Sequence, residues 1–288
     1  MSKRDVDQHT GIETTGHEWD GIKELNNPLP RWWLLTFYAT IIFAIGYCVV
    51  YPAIPGLSGA SKGLWGWSSR HDVQAAMDAV TQSRAAMEDK IAATDIKTII
   101  ATDDLKQYAT SAGASMFKTY CSQCHGSGAQ GAVGYPNLND DDWLWGGTPE
   151  QIVQTLTHGV RYVQDPDTRN SQMPAFGKDA ILDAAAIGNV AQYVLKLSGA
   201  EHDEAAATTG QQLFTDNCAA CHGANGEGNQ DVGAPKLADA IWLYNGGAET
   251  ITAQINNPRH GVMPAWGRLG DAKVKELAAY VISLGGSK

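Results

Sequence analysis

The chain has 288 residues and a formal net charge of −10, with 43% hydrophobic and 18% charged residues. This length allows two small domains and one further segment, because domains commonly have roughly 100–200 residues. The negative charge argues against a nucleic-acid partner, since binding to phosphates requires a basic surface. The acidity fits either ordinary solubility or the docking of a basic redox partner.

A single transmembrane helix is predicted for residues 32–54. No Lys, Arg, Asp or Glu lies between Arg31 and Lys62. About twenty helical residues, each rising ~1.5 Å, cross a hydrocarbon core of ~30 Å. The preceding residues 1–31 are too polar for the start of a cleavable signal peptide. We therefore expect a retained anchor that contacts membrane lipid.

Residues 55–108 are predicted to form a helical linker. Five apolar residues recur at the spacing of one helix face. This pattern fits either a spacer helix or a helix that lies against a partner subunit, and the sequence leaves both open. The residues are Val73, Met77, Val80, Met87 and Ile91.

The remaining chain repeats itself, which predicts two domains at residues 109–200 and 201–288. Gly113 and Phe117 of the first repeat return as Gly210 and Phe214. A glycine one turn before an aromatic residue favours a close contact between two helices. We expect the first helix of each domain to approach its last helix, near Tyr193 or Tyr280.

Each repeat contains one Cys-x-x-Cys-His motif, the attachment signature of haem c. The two thiols bind the porphyrin edge and the histidine binds the iron. A zinc site would need a further pair of ligands nearby, and a thioredoxin-like motif would need a βαβ context. The sequence therefore predicts two covalently bound haem c groups. Their residues are Cys121, Cys124 and His125, and Cys218, Cys221 and His222.

Met173 and Met263 are the predicted sixth ligands of the two irons. Each begins a Met-Pro-Ala-aromatic-Gly sequence downstream of a haem motif. The proline stiffens the loop that presents the thioether. His/Met ligation raises the reduction potential and closes the iron, which favours electron transfer over catalysis. The sequence does not decide whether each methionine serves its own domain or the other one.

Four further residues near these loops have two interpretations each. His158 and His260 are either alternative iron ligands or histidines that only lie near the sites or on the surface. Arg161 and Arg259 either contact haem propionates, since guanidinium suits carboxylate, or are ordinary surface arginines.

Three stretches, residues 17–33, 66–70 and 142–147, carry a more specific resemblance. With them the chain resembles subunit III of the cbb3-type cytochrome c oxidases, the CcoP/FixP family, over nearly its whole length. Some members of that family have two transmembrane helices, whereas this sequence predicts one. The resemblance implies an all-α fold, with one N-terminal transmembrane helix followed by two tandem class I cytochrome c domains.

The resemblance also implies a role in respiratory electron transport. The family's subunit takes electrons from a cytochrome c or from the cytochrome bc1 complex. It passes them to the monohaem cytochrome c subunit and so to the haem–copper catalytic subunit, which reduces oxygen. The chain itself would have no catalytic site, although the complex would be a proton-pumping cytochrome c oxidase.

Haem c attachment in bacteria occurs outside the cytoplasmic membrane, which gives an orientation. We expect a single-pass protein of the bacterial inner membrane, with residues 1–31 cytoplasmic and the linker and haem domains periplasmic. One alternative is a stand-alone dihaem cytochrome or a subunit of another respiratory dehydrogenase. Another is a dihaem peroxidase, which would need one iron with an open position.

Overall fold

The computed structural model describes residues 5–286. These residues form two compact units, with the boundary between Ser83 and Arg84. Residues 1–4 of the predicted cytoplasmic segment and 287–288 of the second predicted domain lie outside the described residues. The first unit contains β1 (Thr14–Trp19), β2 (Ile22–Leu25), α1 (Arg31–Val50), β3 (Pro55–Gly56), β4 (Gly59–Ala60) and the start of α2 (Ser69–Ala93). The second contains α3 (Ile96–Ala101), α4 (Asp103–Tyr120), α5 (Ser122–His125), α6 (Pro149–His158), α7 (Ala184–Leu197), α8 (Glu204–Asn217), α9 (Ala219–His222), α10 (Ala248–Asn256), a 3₁₀ turn (Gly267–Leu269) and α11 (Asp271–Ser283).

The fold is mostly helical, as predicted, but the first unit also contains two short antiparallel hairpins that were not predicted. In the first hairpin β1 pairs with β2 across Asp20 and Gly21, whose φ angles are 49° and 83°. Two consecutive positive φ angles suit the tight turn that matches the twist of paired strands. In the second hairpin β3 pairs with β4.

Helix α1 is the predicted membrane-spanning helix, and it is the one helix of the described chain long and apolar enough to cross a membrane. None of its residues is buried within the protein. Two hydroxyls on it are satisfied inside the helix: Thr36 donates to the Trp32 carbonyl at 2.9 Å, and Thr40 donates to the Phe37 carbonyl at 2.7 Å. An apolar surface with internally bonded polar groups suits lipid.

The anchor helix ends at Val50, four residues before the predicted limit at residue 54. Tyr51 has extended backbone angles and precedes Pro52, which disfavours a helical conformation in the residue before it. The following chain returns to the helix end, where the Trp65 N–H donates to the Val50 carbonyl at 3.2 Å. A free carbonyl at the end of the helix is thereby satisfied.

The predicted linker at 55–108 is helical only from α2 onwards, and its two ends differ in burial. Near the start of α2, Val73 and Met77 are each 59% exposed, whereas Ile91 near its end is fully buried. Ile96, Ile99 and Leu105 are buried with Ile91. The end of the predicted linker is therefore part of a hydrophobic core, and not only a spacer.

The second unit contains two hydrophobic cores, which we name core 1 and core 2. Core 1 is built from the end of α2 together with α3, α4, α6 and α11. Core 2 is built from α7, α8 and α10. The elements of core 1 are therefore not contiguous in sequence. Core 2 is formed between residues 173 and 256, after most of core 1 and before α11, which belongs to core 1.

Each core combines helices from both of the repeats that were predicted as domains at 109–200 and 201–288. The most extensive helix pairs are α4 with α11 and α7 with α8. Each pair joins the first helix of one repeat to the last helix of the other. Only residues 198–203 connect α7 to α8, and helices joined by such a short link usually pack against each other. The final helices of the two repeats are thus exchanged between the cores.

Each glycine makes a close contact with a last helix, as predicted, but that helix belongs to the other repeat. A Cβ atom at Gly113 would overlap the carbonyl of Glu276 on α11, and one at Gly210 would overlap the carbonyl of Asn189 on α7. One turn further, Phe117 lies 5.1 Å from Tyr280 between ring centroids. Phe214 lies 5.2 Å from Tyr193 in the same way.

Candidate haem sites

The first Cys-x-x-Cys-His motif lies at the end of α4 and forms the short helix α5. Cys121 is 8% exposed and belongs to core 1, whereas Cys124 is exposed. The Nδ1 atom of His125 lies 2.9 Å from the Pro136 carbonyl oxygen. The motif thus presents two thiols and an oriented imidazole beside core 1.

The second motif has the same geometry beside core 2. Cys218 is 7% exposed, and Cys221 is exposed. The Nδ1 atom of His222 lies 3.0 Å from the Pro235 carbonyl oxygen. Both prolines belong to the Pro-x-Leu sequence that the repeats share, so this sequence orients the histidine in each site.

The carbonyl partner determines how each histidine can act. A carbonyl accepts a hydrogen bond, so Nδ1 carries the proton and Nε2 keeps a free lone pair for a metal. Burial lowers the pKa of His125 and of His222, although the bond to Pro136 or Pro235 opposes that shift. The lowered pKa favours a neutral imidazole and the bond to the carbonyl orients it, as iron ligation requires.

In the part of the chain that the structure describes, no group of possible metal ligands forms around either pair of thiols, as a zinc site would require. Burial, with a smaller contribution from the neighbouring cysteine, raises the pKa of Cys121 and of Cys218 to about 11. Thioether formation with a porphyrin uses both sulfur atoms without requiring a permanent charge.

Met263 belongs to the second repeat, but its side chain packs against core 1, which also contains Cys121 of the first motif. Its backbone forms two hydrogen bonds of 2.9 Å with Val160. The Trp266 N–H also donates to the Leu156 carbonyl at the end of α6, at 2.8 Å.

Met173 lies beside the second motif, although it belongs to the first repeat. It packs against core 2 and lines a cavity of about 400 Å³ together with Cys218, Cys221 and His222. The Phe176 N–H donates to the Ile255 carbonyl at the end of α10, at 3.1 Å. This bond is the equivalent of the one from Trp266.

The donor sets fit haem c. Each site contains two thiols, one oriented histidine and one methionine, and the wall of the cavity at the second site includes the apolar side chains of Val190, Val194, Phe214 and Ile251. A ring with apolar faces and one reactive edge suits such a wall. The placement of the methionines is crossed: Met263 accompanies the first motif and Met173 the second.

His158, His260, Arg161 and Arg259, each of which had two interpretations, make different contacts near the sites. His158 points its Nδ1 atom at Asp165, at 3.2 Å, which argues against iron ligation by that nitrogen. His260 lines the cavity near Met173. Arg259 also lines it and lies 4.2 Å from the Tyr244 ring centroid. Arg161 lies between the two methionine loops.

Sequence reasoning missed the contacts that join the two sites. The Gly134 N–H donates to the Leu243 carbonyl at 2.7 Å, which links the loops that follow the two motifs. Arg161 donates to the carbonyls of Gly261 and Ser171. No local pattern identifies such bonds, because main-chain carbonyls carry no sequence signature. The sequence signal available for Arg161 was its position between α6 and the Met173 loop, which places it near the haem sites but does not identify its partners.

Two family models match the chain. The N-terminal domain of cytochrome oxidase-cbb3, FixP, matches residues 11–58. Cytochrome c oxidase, cbb3-type, subunit III, matches residues 109–194 and 205–281, which correspond to the two repeats.

The chain is also similar along its whole length to curated proteins. Cbb3-type cytochrome c oxidase subunit FixP of Sinorhizobium medicae is 55% identical over 284 residues, which cover 98% of both chains. Cbb3-type cytochrome c oxidase subunit CcoP of Cereibacter sphaeroides is 53% identical and matches over 100% of both chains. The chain belongs to the FixP/CcoP family.

Family membership confirms the coarser predictions. The chain is a cytochrome c subunit of a cbb3-type oxidase, and its domains are of the kind that carries covalently bound haem c. As such a subunit it associates with the other subunits of the oxidase. The apolar helix α1 is consistent with a membrane-anchored subunit.

Proposed function

We propose that this chain carries electrons through two haem c groups to the catalytic part of a cbb3-type oxidase. The observation that supports the proposal most strongly is the repeated donor set of two cysteines, one histidine and one methionine. The residues that attach the haems would be Cys121 with Cys124, and Cys218 with Cys221. Bound haem supplies a one-electron redox centre.

The protein's own residues prepare each site for electron transfer. Pro136 and Pro235 orient His125 and His222 through Nδ1, so Nε2 is available to the iron. We assign Met263 as the sixth ligand at the first site and Met173 at the second. Filled axial positions exclude peroxide and oxygen, so we assign no catalytic role to this chain.

The donor, the acceptor and the orientation belong to the same proposal. Electrons would enter from a cytochrome c or the cytochrome bc1 complex and leave to the monohaem subunit, which passes them to the haem–copper subunit. The second unit would lie in the periplasm and α1 in the lipid of the inner membrane. The net charge of −10 favours a donor with a basic docking surface.

Purification of the tagged chain in mild detergent tests this proposal. Haem staining, pyridine-haemochrome quantification and oxygen consumption with reduced cytochrome c would be measured on the same sample. We expect two haem c groups per chain, a second haem-stained band, a large membrane subunit and oxygen consumption. A lone dihaem band without oxygen consumption, after cross-linking before solubilisation, would instead indicate a free carrier.

A further inference from the structure

Arg161 lies in the segment that connects α6 of core 1 to α7 of core 2. We propose that Arg161 is a positioning residue that holds the two methionine loops together, so that the iron ligand of each site depends on the same guanidinium. This inference rests on the proposed function, because it takes Met263 and Met173 as axial ligands.

The guanidinium binds the two loops at equivalent positions. Its Nε atom donates to the Gly261 carbonyl at 2.7 Å, and its Nη1 atom donates to the Ser171 carbonyl at 2.9 Å. Gly261 lies two residues before Met263, and Ser171 lies two residues before Met173. A planar group with several fixed donors can bind two carbonyls at once, which a single ammonium does less precisely.

The backbone of Arg161 and of its neighbour Val160 also forms hydrogen bonds. The φ angle of Arg161 is 52°, in the left-handed region that is uncommon for residues other than glycine. Its N–H donates to the Arg169 carbonyl at 2.7 Å. The preceding residue, Val160, forms the two backbone hydrogen bonds with Met263. The backbone beside Arg161 is therefore attached to the Met263 loop, and the Arg161 side chain also reaches the Met173 loop.

Within residues 5–286, the charge of Arg161 is not used in an ordinary ion pair. The residue is half-buried, and burial is the main cause that lowers its pKa. No carboxylate is among the groups that shift that pKa. Because desolvation of a cation is costly, a half-buried guanidinium bonded to main-chain carbonyls suggests a role in fixing those carbonyls.

His260 provides a second, weaker connection between the same loops. Burial and the nearby charge of Arg161 lower its pKa, and a hydrogen bond with the Met173 backbone opposes that shift. His260 belongs to the loop of Met263, so its ring reaches across to the other methionine loop. The two loops therefore form one connected structure in which Arg161 supplies two of the links.

Arg259 offers a matched control. It is also an arginine that lines the cavity, close in sequence to Met263. Its Nε atom donates to the Gln254 side chain at 3.0 Å, and its guanidinium lies over the Tyr244 ring. Replacement of Arg259 removes the same charge without removing the bonds to the Gly261 and Ser171 carbonyls, which Arg161 donates.

The test uses the full-length protein with both haems attached. Arg161→Gln, Arg161→Lys and Arg259→Gln would be compared by potentiometric titration and by the far-red absorption of the ferric methionine–iron bond. We expect Arg161→Gln to lower both potentials and to weaken the far-red absorption at both haems. Arg161→Lys keeps the charge but not the two divergent donors, so it should show the same loss of absorption. Arg259→Gln should leave that absorption unchanged.

The possible outcomes separate this inference from the proposed function. An effect of Arg161→Gln on only one haem or on neither would overturn the inference, as would full recovery of the absorption in Arg161→Lys. If Arg161→Gln does not take up both haems, Arg161→Lys decides alone. A wild-type protein with two haems but no far-red absorption would overturn the ligand assignment, and the inference with it.

Discussion

We predict that the stability of the wild-type protein falls as the pH rises from about 4.5 to about 7, and that replacement of Glu276 by Gln removes this dependence. Glu276 lies on α11 and is 2% exposed, and its Oε1 atom has no hydrogen-bond partner among the described residues. Burial is the main cause that raises its pKa to about 7, and the charge of Glu88 adds to this. Lys273 and Arg84 act in the opposite direction but do not cancel the shift.

The sign and size of the effect follow from proton linkage. The ordinary pKa of the carboxyl is 4.5, so the folded protein holds this proton more tightly than the unfolded chain does. Stability is therefore lost as the pH rises from about 4.5 to about 7. At about 1.36 kcal/mol for each pH unit, the loss is about 3 kcal/mol. For a unit of this size it corresponds to about 6–12 °C in Tm.

The assay is thermal unfolding of the haem-loaded protein in detergent at several pH values between 4.5 and 8. Glu276→Gln should match the wild-type protein at the acid end and exceed its Tm at pH 8. Asp89→Asn, which removes an exposed carboxylate from α2, is the control and should follow the wild-type curve. Parallel curves for the wild-type and Glu276→Gln proteins would refute the reasoning.

Three further predictions concern packing, ligation and the anchor. Gly113→Ala and Gly210→Ala should each destabilise the protein by about 1–3 kcal/mol in denaturant titrations, because the added methyl group meets a backbone carbonyl. Gly188→Ala, which meets no atom within 4 Å, should change stability by no more than about 1 kcal/mol, and a large loss there would contradict the packing. Met173→Leu and Met263→Leu should each lower one potential while both haems stay attached; two unchanged potentials in a redox titration would exclude the ligand assignment. A cleavable signal in place of α1 should release a soluble protein with two haems on a stained gel, and failure to mature would mean that the haem domains depend on the membrane complex.

The chemistry of the haem sites was predictable because it lies in short contiguous patterns. Cys121, Cys124 and His125 are adjacent on one turn, and the Met-Pro-Ala sequence at Met173 marks its loop. The anchor was predictable for the same reason, since length and lack of charge are local properties. Its end at Tyr51 also follows from the next residue, Pro52.

The exchange of helices was not predictable because the repeats are too alike. Gly113 and Phe117 fit the tyrosine of either last helix, so Tyr193 and Tyr280 are equivalent partners in sequence. The short connection at residues 198–203 favours packing of α7 on α8, but its length becomes informative only when both helix ends are known. Local patterns therefore identified the parts of each site without assigning them to one another.

The burial of Glu276 and the contacts of the half-buried Arg161 were missed for a related reason. Glu276 is a charged residue in an amphipathic helix, where the usual expectation is a solvated face. Its burial results from the close approach of α4 at Gly113, which depends on the helix exchange. Arg161 was considered only as a haem contact or a surface residue, and its bonds to two distant loops depend on the same exchange.

The most direct test of the crossed methionine ligands uses a chain with only the first haem, made by Cys218→Ser and Cys221→Ser. Met263→Leu and Met173→Leu would each be added to it, and far-red absorption and imidazole binding would be measured. Crossed ligation predicts that Met263→Leu abolishes the absorption and opens the iron to imidazole, whereas Met173→Leu leaves both unchanged. The reverse result would contradict crossed ligation and assign each methionine to its own repeat.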